Sequence, residues 1–213
     1  MRFRLSYSDV VELLAERGIF VDASTLFDWV QHFTPLYQKA ARPHRHRVGC
    51  RWSVDETYLR MAGKWVYAYR AIHDYGQVID VYVSETRDTV AATTFLRRAL
   101  ECSEGRPETV TTDKAPTYPA ALSTVLPQTE HRTGKLEQQG MERDHQHLKG
   151  RRRSMRGFQS VSWCQVIGAG HDLRRNLANG FYRLSLPAGD PWTPRAPRLV
   201  RAWEQLTAYL AGA

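Results

Sequence analysis

The sequence predicts an α/β fold, a mixed sheet flanked by helices, with a small helical hairpin ahead of it. Three observations carry that expectation. Residues Arg51 to Tyr58 alternate, with Trp52, Val54 and Glu56 on one side of a strand and Ser53, Asp55 and Thr57 on the other. Two more β-rich runs come next, and beyond them segments of helical composition alternate with a short β-branched run, the order of a layered α/β sheet. Acids stand where such a sheet would gather them: Asp55 in the first strand, Asp113 at the end of a later one, and Glu142 at the start of a helical run.

Val10, Leu13 and Leu14 repeat at helical spacing after Ser8, read as an N-cap, and Gly18 ends the run. Leu26, Trp29, Val30 and Phe33 mark a second helix, with Asp22 or Ser24 as cap and Pro35 beyond its end. The pair reads as a helix-turn-helix whose second helix would present Thr25, Asp28, Gln31 and His32 to a DNA groove. Lys39 to Arg51 carries Pro43 and several Arg and His residues without an apolar period, so it reads as a basic linker along a phosphate backbone. His44, His46 and Cys50 lack a fourth ligand at zinc spacing.

Strands are expected at 51–58, 64–72 and 77–83, the last two joined through His73-Asp-Tyr-Gly76 as a hairpin turn. Helical composition covers 88–100, a β-branched strand 109–112, a helix 115–125, a further strand 129–132, and helices 142–149 and 162–179. A Pro-rich stretch from Pro187 to Pro197 precedes a last helix at 200–210. Three antiparallel strands, then a helix, a parallel strand and more helices describe an RNase H-like layer. The domains are therefore expected at 1–38 (helix-turn-helix), 39–50 (linker), 51–186 (catalytic) and 187–213 (Pro-rich segment and terminal helix).

The chain has 213 residues, enough for one main domain with a small appendage and a proper core. It carries 30 Lys and Arg against 22 Asp and Glu, a net charge of +8 that favours a polyanionic partner. No apolar stretch approaches a membrane span, and Met-Arg-Phe-Arg at the start lacks a signal-peptide core, so a cytoplasmic protein is expected. Three widely spaced cysteines suit reduced thiols.

Carboxylates at two strand ends and on one helix repel one another unless divalent cations neutralise them. Hard oxygen ligands select Mg²⁺ or Mn²⁺, and a pair of such ions is what phosphoryl transfer on DNA needs. Lys149 lies seven residues after Glu142 and returns to its helical face, where it could hold a phosphate. Arg151, Arg152 and Arg153 come directly after, and with Arg45, Arg47 and Lys114 they complete the expected DNA contacts. Glu56 faces away from Asp55, Asp80 reads as the partner of a nearby base, and His131 either lines the site or, the preferred reading, caps its β run. Trp65, Tyr67, Tyr69 and Tyr82 alternate on strands and read as core or half-buried packing rather than as base-stacking platforms.

Trp52-Ser-Val-Asp-Glu-Thr-Tyr58, Gly63-Lys-Trp-Val-Tyr67, Thr112-Asp-Lys-Ala-Pro-Thr-Tyr118 and Glu142-Arg-Asp-His-Gln-His-Leu-Lys149 together resemble the DDE transposases of bacterial insertion sequences. The match is best to insertion sequence family six, with Gly157-Phe158 after the basic run. The resemblance implies Asp55, Asp113 and Glu142 as catalytic acids and metal ligands, with Lys149 as the basic residue beyond the Glu. It also implies cutting at element ends, strand transfer into target DNA, and typically cointegrates. Partners would be terminal inverted repeats, target DNA and a second copy of the chain at synapsis. Two departures stand out: 28 residues separate Asp113 from Glu142, fewer than is usual there, and a helix ahead of the helix-turn-helix is missing. They leave a second expectation, a decayed copy that occupies element ends as a DNA-binding repressor; a host nuclease of the same fold is a third.

Overall fold

In the computed structural model, residues 5–61, 63–103, 105–134, 160–184 and 195–212 are described. They fall into two units, one holding the sheet (47–134 with 160–165) and one helical (5–46, 166–184 and 195–212). Among them no helix is long and apolar enough to cross a membrane.

In the sheet unit, strands β1 (Arg51–Met61), β2 (Lys64–His73) and β3 (Val78–Ser84) form an antiparallel meander. Gly63 and Gly76 adopt φ of 83° and 86°, a region open to glycine, where the two turns require it. At the second turn the Gly76 amide donates to the His73 carbonyl at 2.8 Å. Helix α3 (Thr89–Cys102) leads to β4 (Thr109–Thr112), and α4 (Thr117–Val125) leads to β5 (Glu130–Thr133). Both later strands run parallel to β1, giving the order β3-β2-β1-β4-β5. Helix α5 (Val161–Ala178) comes next in the chain, and this mixed five-stranded layer is an RNase H-like fold.

Asp88 caps α3 by accepting from the Ala91 amide at 2.7 Å, as its position before a helical run suggests. One sheet face is closed by α3 and α4 over Trp52, Val54, Tyr69, Phe95, Leu96, Val110, Tyr118 and Leu122. Tyr69 stacks on Phe95 with ring centroids 5.7 Å apart. Asp80 accepts from Arg98 Nε at 3.1 Å, the base partner expected for it. Along edge strand β3, the Gln165 amide donates to the Val81 carbonyl at 2.6 Å and its oxygen accepts from the Val83 amide at 2.8 Å. A side chain thus pairs backbone groups that an edge strand would otherwise offer to another chain.

The helical unit opens with α1 (Tyr7–Ala15) and α2 (Ala23–Ala41). The cap of α1 is Ser6 rather than Ser8, because Asp9 completes a capping box: Ser6 Oγ accepts from the Asp9 amide and Asp9 Oδ2 accepts from the Ser6 amide. Asp22 caps α2, accepting from Thr25 N at 2.7 Å, and these hydrogen bonds hold its carboxyl below the usual range. Pro35 lies inside α2, not past its end. Burial of the last turn offsets the interior proline: Ala40 and Ala41 pack with Leu173, Leu177, Leu184, Ala202 and Leu206, the last two on α6 (Arg195–Ala211). Tyr37 seals that contact, edge-on to Trp203 at 5.0 Å and hydrogen-bonded to Thr207 at 2.9 Å.

Trp29 and Phe33 of the expected stripe stay 44% and 43% exposed. The nine residues of α1 span about 13 Å against about 28 Å for the nineteen of α2, so α1 covers only part of the length of α2. Part of the basic segment is built into the fold: Arg45 bridges Tyr182, and His46 N donates to the Phe181 carbonyl at 3.0 Å.

Gln165→Leu, nearly equal in volume, should lower stability by about 2 kcal/mol through two lost edge hydrogen bonds. Denaturant unfolding and faster exchange of the Val83 amide proton would register it.

Candidate active site

Asp55 sits in the middle of β1 and Asp113 immediately after β4. The parallel register pairs Arg51 with Thr109, Trp52 with Val110 and Ser53 with Thr111. Carried two residues further, it sets Asp113 level with Asp55 on neighbouring strands, about 4.8 Å apart along the sheet. Both are half-buried. The Asp55 carboxylate accepts from the Glu56 amide at 2.8 Å, and Asp113 Oδ1 accepts from the Ala115 amide at 3.0 Å.

Behind them lies a polar group that strand alternation alone does not reveal. Glu56 points to the α3 and α4 side, and its carboxylate is 1% exposed. Arg87, in the segment between β3 and α3, donates to Glu56 Oε1, and the Tyr118 hydroxyl donates to Oε2. Arg87 Nη2 also stands 3.7 Å from Asp113 Oδ2. Burial works against the Arg87 charge, but Glu56 more than offsets it and lifts the pKa above the arginine range. Burial, then the Glu56 carboxylate, pushes the Tyr118 phenol well up, so it remains the donor in this pair. One signal could have found the trio: a carboxylate on a strand side otherwise filled by Trp52 and Val54 needs a cation.

His131 on β5 meets Thr112 Oγ1 through Nε2 at 2.8 Å. The same hydroxyl donates to the Asp113 carbonyl at 2.7 Å, so its one proton is used and His131 Nε2 is the donor to it. The imidazole thus ties β5 to the strand end from which Asp113 emerges, and burial depresses its pKa.

Lys114 is exposed beside Asp113. In the helical unit, Asp28 and His32 are exposed, while Thr25, Gln31 and Arg45 are half-buried. Arg47, at the start of the sheet unit, is exposed. Glu142, Lys149, Arg151, Arg152 and Arg153 lie outside the described residues. The structure therefore brings two of the three expected acids together. Their donor set, half-buried carboxylate oxygens on neighbouring strands, fits a hard divalent cation such as Mg²⁺ or Mn²⁺.

A parallel strand pair that levels an aspartate in the middle of one strand with another at the carboxyl end of its neighbour, on an RNase H-like sheet, defines a class of phosphoryl-transfer enzymes. A family model for a DDE domain, of the IS240 transposase type, matches residues 49–180. The chain is 37% identical over 158 residues to the transposase for insertion sequence-like element IS431mec of Staphylococcus aureus, spanning 71% of this chain and 70% of that one. The same identity and spans relate it to the transposase for insertion sequence element IS257 in transposon Tn4003, also from Staphylococcus aureus. Among solved structures, the integrase catalytic core domain of HTLV-2 in complex with magnesium aligns at TM-score 0.46 and 14% identity, over 75% of this chain and 98% of that one. The chain belongs to the DDE transposases of insertion sequences, in insertion sequence family six. It is accordingly a metal-dependent DNA-processing enzyme.

Arg87→Ala should cost more than Glu56→Gln, roughly 3 kcal/mol, because Glu56 cannot reach water once its cation is gone, whereas Arg87 is 35% exposed and can. Urea unfolding of the two variants makes the comparison. For His131 the folded pKa lies below the ordinary histidine value of 6.5, so the unfolded chain binds the proton more tightly. Its contribution is full above pH 6.5 and falls as pH drops through that value toward the folded pKa. Thermal unfolding between about pH 7.5 and 5 should therefore show a smaller decline for His131→Gln than for the parent.

Proposed function

We propose that this transposase binds the terminal inverted repeats of its element, cuts them in a Mg²⁺- or Mn²⁺-dependent reaction, and joins the ends to target DNA. Asp55, Asp113 and Glu142 hold two ions in this reading, and Lys149 holds the phosphate beside the cut. The observation that carries it is the register of β1 and β4, which levels Asp55 with Asp113. When bound, the ions supply a more acidic attacking water or 3′-hydroxyl and charge compensation for the leaving oxygen.

The chain's own residues do the rest. The Ala115 amide and the Arg87 guanidinium each engage one oxygen of Asp113, which limits rotation of that carboxylate. Lys114, Arg45, Arg47 and Arg151 to Arg153 draw the phosphate backbone to the protein, within an overall charge of +8. Thr25, Asp28, Gln31 and His32 on α2 read the repeat, with Asp28 and His32 the more exposed of the four. Two copies bridge the two ends, which makes the working species a homodimer.

Asp55→Asn and Asp113→Asn should each bring nicking of a labelled element end down to the metal-free background while leaving repeat binding within about twofold of the parent. Nicking by both variants at the parental rate would refute the assignment. Joined products from the parent with target DNA would separate strand transfer from simple nuclease activity.

A further inference from the structure

Beyond Glu56, strands β1 and β2 run on, and their two faces differ sharply. One is buried, through Leu59, Met61 and Val66. The other carries Tyr58 opposite Tyr67 and Arg60 opposite Trp65. It is open: Trp65 is 57% exposed and Tyr58 44%, whereas the sequence reads Trp65 as core or half-buried packing. The rings hold one another edge-on, Tyr58 to Tyr67 at 5.3 Å and Tyr58 to Trp65 at 6.5 Å. Cations frame them. The Arg60 guanidinium lies 5.9 Å from the Trp65 ring centre, that of Arg87 lies 5.5 Å from the Tyr58 ring centre, and exposed Lys64 opens β2.

We infer that this face is a binding platform for unpaired DNA bases beside the reaction point. Exposed rings among cations match the two features of a single strand, a π-face on every base and a phosphate at every step. A duplex hides its base faces and would meet only the cations. Glu56, the carboxylate on the same side, is buried and held by Arg87, so it does not repel a phosphate backbone. The buried reverse face anchors the strands, which presents the rings on a rigid surface. Arg87, whose guanidinium is 3.7 Å from Asp113, makes the platform continuous with that carboxylate at the end of β4, so a strand stacked on Tyr58 and Trp65 leads to Asp113, while Asp55 lies on the other side of β1. The inference rests on the DNA reading of that site and adds where a displaced strand lies.

The test is fluorescence anisotropy of the full chain in EDTA, with a labelled single-stranded oligodeoxynucleotide and a blunt duplex of the same sequence. Trp65→Ala and Tyr58→Ala should each lose roughly tenfold in affinity for the single strand and little for the duplex, while Trp65→Phe keeps most of it. Arg60→Gln should weaken both probes and flatten the salt dependence. Single-strand affinity unchanged in both alanine variants would overturn the platform. So would a Trp65→Ala chain that sediments as a smaller species with its DNA affinity intact, since the face would then join two copies of the chain. Chemistry is off in EDTA, so these results stand apart from the nicking assays on Asp55 and Asp113.

Discussion

A carboxylate at 1% exposure has no water to solvate it, and the Glu56 oxygens of this protein are satisfied by Arg87 and Tyr118. That one pairing organises much of the sheet unit. It draws the segment between β3 and α3 onto the middle of β1, fixes α4 through its tyrosine, and leaves the guanidinium beside Asp113. Because Glu56 already compensates Arg87, the arginine can orient Asp113 without presenting an uncompensated charge to an incoming cation. A bare arginine there would compete with a metal for the same oxygen.

Alternation along β1 gives each neighbouring residue a separate task. Asp55 takes one side and Glu56 the other, so a candidate ligand and the anchor of its support are consecutive in sequence. Further along, Leu59 and Met61 are buried while Tyr58 and Arg60 face out. The strand therefore contributes to the core, to the carboxylate pair and to an open aromatic surface without any change of secondary structure.

Parallel pairing matters in the same way. β4 lies against β1 in the same direction, so Asp113, which succeeds Thr112 at the carboxyl end of β4, comes level with Asp55 in the middle of β1. The Thr112 to His131 contact then holds β4 to β5 where a strand of four residues would otherwise fray. Run antiparallel from the same pairing of Arg51 with Thr109, β4 would have carried Asp113 away from Asp55.

Much of the fold was legible in the sequence. The strands 64–72 and 109–112, the turn at His73 to Gly76, the Asp22 cap and the helix at 162–179 come from periods of 2 and 3.6 and from capping chemistry, which are local. Placing Asp55 within a strand and Asp113 at the end of another needed only those same signals. Other features were not legible, because they depend on which element covers which. Pro35 reads as a helix end until the buried Ala40 and Ala41 beyond it offset its cost. Trp29 reads as part of an apolar stripe and Trp65 as core or half-buried packing, yet both stay exposed, because burial depends on which distant element covers them. The pattern of β1 signals that Glu56 needs a cation, but its contacts join residues 31 and 62 positions apart, so which residues supply them is not a local signal. Local patterning determined the elements and the candidate acids; only the packing of distant segments, which sets burial and so the need for a counter-charge, decided what supports them.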